Sequence, residues 1–514
     1  MLSSSQILRS ALFLTCAACA LNTSANAAET QTAAAAQTAT QAAAAPDTID
    51  EIIVTGTNET RSEVAIPDVE LQKILPGINA LKAIQTLPGV MFQTADPWGN
   101  NEQNETLYIH GFSLQQLGYT MDGVPLGDQQ YGNWNGLSTS RALISENISR
   151  VILSSGTGDL GTASTSNLGG TIETFSRDPA REAGGHVEQL LGSYEAKRSF
   201  VRLETGALGG NNYLSVSGLY HDARAWDFNG HQQDYQANAK FVHDGETGKL
   251  TLFFDYSDKI EPNEDSIVHG PADPNPPYTR PFLYPDLTQA LSYLSAAGAP
   301  PASAGNNFRN YHSAAQRTDY LGYAKYDAFL TPDMTWSNQL YIHHDSGRGI
   351  VAGPINQAGL PGLFSVYYPG QDLKALFGGT GYAVRTTEYT IDREGLLSTF
   401  KWTTGAHTIE AGGWFEYNEG IQYRRWYPFS EAKNNLTPYD VPRNFNFTQY
   451  AGDGITRVAQ FHVQDQWQVS PDLTLQAGFK SSLQWAKGKV LVQQKNLPTN
   501  TNPTLLPTGS ISTQ

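Results

Sequence analysis

The texture of everything after Gly184 is what most constrains the fold of this chain. Segments of about ten residues alternate apolar and polar side chains, and each ends in a cluster of turn-forming residues. In Asp472 to Trp485, Leu473, Leu475, Ala477, Phe479, Leu483 and Trp485 fall on one face, and Thr474, Gln476, Lys480, Ser482 and Gln484 on the other. Leu250, Leu252, Phe254 and Tyr256 share a face in the same way. Successive strand residues point to opposite sides, so each segment has one apolar surface and one wet surface. Outside the N-terminus no stretch approaches the ~20 apolar residues that a membrane helix needs. Any insertion into a bilayer must therefore be by a barrel or by surface contact, because only paired strands or helices satisfy the backbone there.

About eleven strands are expected, beginning near 185, 196, 211, 233, 248, 318, 334, 387, 406, 455 and 472. Their connections mostly alternate in length. Short turns are expected at 205–210, 244–248, 331–333 and 470–472, and long connections at 260–316 and 350–386. Short turns at one end and long loops at the other are what outer-membrane barrels show, unlike a soluble sandwich or propeller. Trp336, Trp402, Trp414, Trp467 and Trp485 lie near strand ends and are expected in interfacial girdles, with ordinary packing the alternative for each. The formal net charge of −16, with no long Lys/Arg stripe, leaves no electrostatic footprint for nucleic acid.

The N-terminus reads differently. Arg9, the apolar run Ala11 to Leu21 and the small residues Ala25-Asn26-Ala27 form a signal peptide over 1–27. Both cysteines, Cys16 and Cys19, fall inside it, so the mature chain is expected to have no disulfide and no thiolate chemistry; a lipoprotein signal is the rival reading. Residues 28–49, rich in Ala, Gln and Thr, cannot bury a core and read as a flexible linker. Then comes Asp50-Glu51-Ile52-Ile53-Val54-Thr55-Gly56, a short β-branched strand with no local partner. On composition alone it is equally the first strand of a globular domain.

From 58 to 179 the pattern is mixed. Ala80 to Leu87 has helical spacing and is stopped by Pro88-Gly89. Leu107-Tyr108-Ile109-His110-Gly111-Phe112 is a strand ending in a Gly-aromatic pair, and Met121-Asp122-Gly123-Val124-Pro125-Leu126 holds a tight-turn dipeptide. Ile148 to Leu153 precedes a Gly/Ser/Thr-rich stretch and Leu168-Gly169-Gly170-Thr171-Ile172. In this order and spacing the pieces resemble the plug domain of TonB-dependent receptors, and Asp50 to Gly56 resembles that family's TonB box. His110, Ser155 and Thr157 depart from it: the family usually has Arg, Arg and Pro there, so plug anchoring through those arginines is in doubt.

The resemblance implies a mixed α/β plug domain (58–179) followed by an antiparallel transmembrane β-barrel (185–514), about eleven of the family's roughly twenty-two strands. The Thr/Pro/Asn-rich tail reads as an outside loop, and the chain as part of a longer working form. It also implies TonB-dependent active import of a scarce bulky solute (iron–siderophore, cobalamin or oligosaccharide class) across a Gram-negative outer membrane, with lipid around the barrel. TonB, energised by ExbB-ExbD, would pair with Asp50, Glu51, Ile52, Ile53, Val54, Thr55 and Gly56 by β-augmentation. About twenty residues from cleavage site to coupling strand leave no space for an N-terminal signalling domain. In the family, solutes bind between plug apices and outer loops. Trp98, Gln129, Gln130, Tyr131, Asn133 and Trp134 sit in the expected apices and suit stacking on sugars or flat chelates, or else simply cap the plug. A passive porin or adhesin is the alternative class.

No enzyme, cofactor or metal reading competes. Gly156-Thr157-Gly158-Asp159-Leu160-Gly161 spells G-x-G-x-x-G, but poor helix formers follow where a dinucleotide fold needs a helix N-terminus. His343-His344-Asp345 is compact, but adjacent strand residues face opposite ways and cannot share a metal.

Overall fold

A computed structural model describes residues 63–71, 73–127, 136–156, 158–226, 230–262, 287–288, 311–356, 360–430, 441–495 and 510–513. The signal peptide, linker and TonB-box segment lie outside them.

The plug has two small sheets. β1 (Glu63–Pro67), β7 (Ile148–Ser155), β8 (Gly170–Ser176), β5 (Gly118–Met121) and β6 (Val124–Pro125) form one in that order; β2 (Val90–Thr94), β3 (Glu105–Ile109) and β4 (Phe112–Ser113) form the other. Among the described residues only β5 and β8 run parallel. Both hairpins use two-residue turns with positive φ at each position, His110-Gly111 (50° and 90°) and Asp122-Gly123 (50° and 86°), the geometry that matches strand twist. Short helices at Ala80–Ala83 and Thr139–Ala142 start on Asn79 and Ser138, whose side chains accept from Leu81 N–H and Ser140 N–H. Leu81, Ile84, Leu107, Ile109, Tyr119, Met121 and Ile172 fill the core between them, which continues into Phe253, Leu321, Tyr323 and Tyr341 of the surrounding wall.

That wall is a single antiparallel sheet of twelve strands in sequence order. It comprises β9 (Ala183–Leu191), β10 (Lys197–Ala207), β11 (Asn212–Arg224), β12 (His231–Gly245), β13 (Gly248–Pro262) and β14 (His312–Thr331), then β15 (Met334–Pro354), β16 (Tyr382–Thr404), β17 (His407–Pro428), β18 (Phe447–Ser470), β19 (Leu473–Val492) and β20 (Ser510–Thr513). Eleven lie where the alternation places them. The twelfth, β20, falls in the tail expected to be an outside loop and pairs with β19 from Ala486 to Lys489. Strands are also longer than the apolar pattern: β14 starts at His312 rather than 318 and β18 at Phe447 rather than 455. Polar residues beyond the apolar belt keep the ladder's hydrogen bonds, so pairing outlasts hydrophobicity.

The two faces sort as expected. Leu252, Phe254, Leu340, Ile342, Phe415, Phe461, Phe479 and Leu483 are exposed on the outside, whereas Thr251, Asp255, Gln339, Glu416 and Gln460 are buried toward the plug. Trp336 and Trp467 stand on the outer face. Trp414 does not: it points inward, is buried, and donates Nε1–H to the Tyr341 hydroxyl (2.9 Å). Its parity on β17, shared with Glu416, overrides its nearness to a strand end.

Candidate functional site

The plug's upper loop is organised by one carboxylate. Asp96 accepts from the backbone N–H groups of Trp98, Asn100 and Asn101 and from the Thr94 hydroxyl, folding 96–101 around itself. The Asn79 amide donates to Gly99 O and Lys82 Nζ to Pro97 O, tying the loop to the first helix. Burial lowers the Lys82 pKa and Asp96 opposes that shift. Trp98 is only 6% exposed: it meets His221 edge-on (centroids 4.7 Å) and packs with Ala196 and Ala223 of the wall. The plug's own wedge against β10 and β11 is therefore what this residue forms here. Gln129, Gln130, Tyr131, Asn133 and Trp134 lie outside the described residues.

Beside that loop is a buried ion network that joins plug to wall. Glu102 receives Arg141 Nε (3.0 Å) and Lys259 Nζ (3.0 Å), and Arg317 Nη1 lies 3.4 Å from it. Arg141 continues to Asp319 (2.5 Å) and Asp345 (3.5 Å), Arg317 to Glu261 (2.6 Å), and His343 Nε2 to Asp319 (2.9 Å). Glu102 and Arg141 belong to the plug; the others come from β13, β14 and β15. Burial opposes ionisation of Glu102, but Arg141, Lys259 and Arg317 outweigh it and hold the carboxyl well below the usual range. Nearby Glu105 goes the other way. Its carboxylate oxygens are buried without a partner, and burial, reinforced by Glu102, pushes its pKa well above normal.

Backbone contacts extend the join. Asn101 Nδ2 donates to Pro262 O (3.1 Å), Glu102 N–H to Glu261 (3.0 Å), Ile144 N–H to Asn238 (3.0 Å) and Arg393 to Pro125 O (2.7 Å). On β10, in the register row of Lys259, Arg198 pairs with Glu146 (2.7 Å).

A second anchor holds the Gly-rich stretch. Gln464 Nε2 reaches Asp159 (3.2 Å), Gln460 Nε2 reaches Ser164 O (2.8 Å), and Lys480 Nζ reaches Thr162 O (2.6 Å). The stretch is a turn with no helix after it, so the G-x-G-x-x-G spelling serves close packing; a Cβ on Gly158 would sit 2.5 Å from Thr171. On the adjoining β8, burial together with Asp159, Glu63 and Glu410 pushes Glu173 up to about 8.

His343 and His344 do face opposite ways: the first joins the network, the second pairs with Asp392 (2.6 Å) on the exposed side. His110, the departure from the plug pattern, packs its ring over Gly89, where a Cβ would come within 2.3 Å, and so stays within the plug. Anchoring falls instead to Arg141, which sequence alone did not single out. Its partners lie up to 204 residues away, and no local pattern marks them.

Residues 56–171 match the TonB-dependent Receptor Plug Domain family. Curated protein sequences contain no match. Solved structures do. FpvA of P. aeruginosa bound to heterologous pyoverdine is 16% identical with TM-score 0.57, covering 88% of this chain and 54% of its own. The ferric yersiniabactin uptake receptor FyuA of Yersinia pestis is 13% identical with TM-score 0.53 (84% and 58%). The ferric-catecholate import receptor Fiu of E. coli K12 is 14% identical with TM-score 0.56 (88% and 66%). The chain thus spans between about half and two thirds of the length of these structures. Residues 56–171 are thus a plug of that family, seated against an antiparallel wall whose fold is the one those solved receptors share.

Proposed function

We propose that this protein imports a scarce, bulky solute across the outer membrane, with Asp50 to Gly56 as the strand offered to TonB and ExbB-ExbD as the energy source. What carries the reading is the seating of the plug. Beside an apolar core shared with Phe253, Leu321, Tyr323 and Tyr341, it is joined to the inner face of a sheet whose outer face is apolar through many hydrogen bonds and ion pairs. Such contacts exchange for water at modest net cost, so a plug held this way can be displaced and returned. β1 follows the proposed coupling strand by seven residues and lies at the edge of the plug sheet, where a pull arrives first. The pull itself would act through main-chain hydrogen bonds of an added strand. The chemistry is transport, with no catalytic constellation among the described residues.

The solved relatives are named for ferric yersiniabactin, ferripyoverdine and ferric catecholates, which favours an iron chelate over cobalamin or an oligosaccharide. Gln129 to Trp134 are proposed as the apical contact, with Trp98 holding the loop against the wall.

The test is Ile53→Pro, which removes an N–H and fixes φ in the coupling strand. Uptake is expected to vanish while the amount of receptor in the outer membrane stays normal. Uptake that persists in this variant, or in a strain lacking TonB, would reduce the protein to a passive channel.

A further inference from the structure

Above the ion network the inner surface of the wall changes character. Tyr389 marks the inward side of β16, because its hydroxyl accepts from Arg317 Nε (3.2 Å) across Gly347. Arg385 and Thr387 share its parity, and the register sets Gln422 and Arg424 of β17 and Tyr450 of β18 beside them on that surface. Beside them on β16 and β18 the acids take the other parity, while inward Glu261 of β13 is held by Arg317. Glu388 points outward, held by Arg425 (2.5 Å) and the Tyr427 hydroxyl (2.6 Å), and Asp453 stands in register with outward Ile421. Adjacent arginines on β17 are thereby divided: Arg425 outward with a carboxylate, Arg424 inward among hydroxyls and rings.

Arg424 is half-buried. One terminal nitrogen donates to the Thr387 hydroxyl (3.0 Å), its guanidinium lies 5.3 Å from the Tyr450 ring centre, and its Nε–H is buried with no acceptor among the described residues. A guanidinium offers its donors in a planar fork matched to carboxylate and phosphate oxygens, and an unmet buried N–H is unfavourable until an acceptor arrives. The Arg424 guanidinium and the Tyr450 ring thus stand together on an inner surface of a chain whose formal net charge is −16.

We infer that this surface binds an anionic solute through carboxylate, phenolate or phosphate oxygens, and that Arg424 is a specificity-determining contact for it. The inference rests on the import reading and narrows it. A negatively charged metal chelate supplies an acceptor to Arg424 Nε–H and a counter-charge to its guanidinium; a neutral oligosaccharide supplies no counter-charge.

The experiment titrates the full chain in detergent by intrinsic tryptophan fluorescence. Ferric citrate and iron(III) tris-catecholate are the anionic probes and maltohexaose the neutral one. At least one anionic probe is expected to bind saturably and more tightly than the sugar, with affinity that falls as salt is raised. Arg424→Gln is expected to weaken it about tenfold, and Arg424→Lys, which keeps the charge, by less. Equal or tighter binding of maltohexaose, no binding of either chelate, or an affinity unchanged in Arg424→Gln overturns the inference. Failure of the import reading registers separately, as uptake indifferent to TonB. TonB-dependent uptake of a neutral solute only would overturn the charge preference and leave import standing.

Discussion

The plug is joined to the wall at two places built on opposite principles. Above, Glu102 and Arg141 enter a buried network with Lys259, Arg317, Glu261, Asp319 and Asp345, in which most groups meet more than one partner. Below, the 159–164 stretch hangs on separate hydrogen bonds from Gln460, Gln464 and Lys480, several of them to backbone carbonyls. The upper join is cooperative: removing one member strands the rest as buried charge. The lower join fails bond by bond, at about 1 kcal/mol each. The plug is thus held firmly at the ion network and loosely at the Gly-rich stretch.

Three substitutions bear on this contrast. Arg141→Met leaves Glu102, Asp319 and Asp345 without their shared cation, and is expected to destabilise the plug by about 3–5 kcal/mol. A urea midpoint followed through Trp98 fluorescence would show it, and a loss below about 1 kcal/mol would put the two joins on equal terms. Gly347→Val comes next. A Cβ there would lie 2.2 Å from the Tyr389 ring, so Tyr389 must leave Arg317, at about 1–3 kcal/mol by differential scanning of the detergent-solubilised protein.

Glu173→Gln is expected to have no effect at low pH and is the most diagnostic of the lower join. Burial, then Asp159, Glu63 and Glu410, raise this carboxyl from its ordinary 4.5 to about 8. The folded state therefore holds the proton more tightly than the unfolded chain does, and ionisation costs stability. That cost is absent below about 4.5, grows through the window and is complete above about 8. The variant is expected to melt with the parent at pH 4 and above it at pH 8.5. Parallel melting curves across the whole range would show that the proton has no part in the lower join.

Much of this was legible in the sequence, for a physical reason: alternation and turns are local. Leu473 to Trp485 declares its two faces within one strand, and Asp244 to Gly248 and Ser470 to Asp472 close hairpins where turn residues demand them. The opposite orientations of His343 and His344 follow from parity alone. What stayed hidden is non-local. Lys259 and Glu102 are 157 residues apart, and an inward lysine on a strand reads like any other wet-face residue. Trp98 looks like an exposed apical ring until Ala196 and Ala223 are brought against it, and Trp414 looks like a girdle residue until its parity is fixed by Glu416. The upper ends of β14, β16 and β18 carry too little apolar signal to show that they remain paired.

Gly347 and Gly395 give the wall a property beyond their missing side chains. Each leaves a gap across which a neighbour's tyrosine reaches the strand beyond: Tyr389 of β16 over β15 to Arg317 of β14, and Tyr341 of β15 over β16 to Glu416 of β17 (2.5 Å). These crossbeams stitch strands that share no ladder. If the plug is pulled as proposed, force passing from Glu102 to Arg317 would spread over four staves instead of bending one, and the casing would keep its shape while the stopper moves.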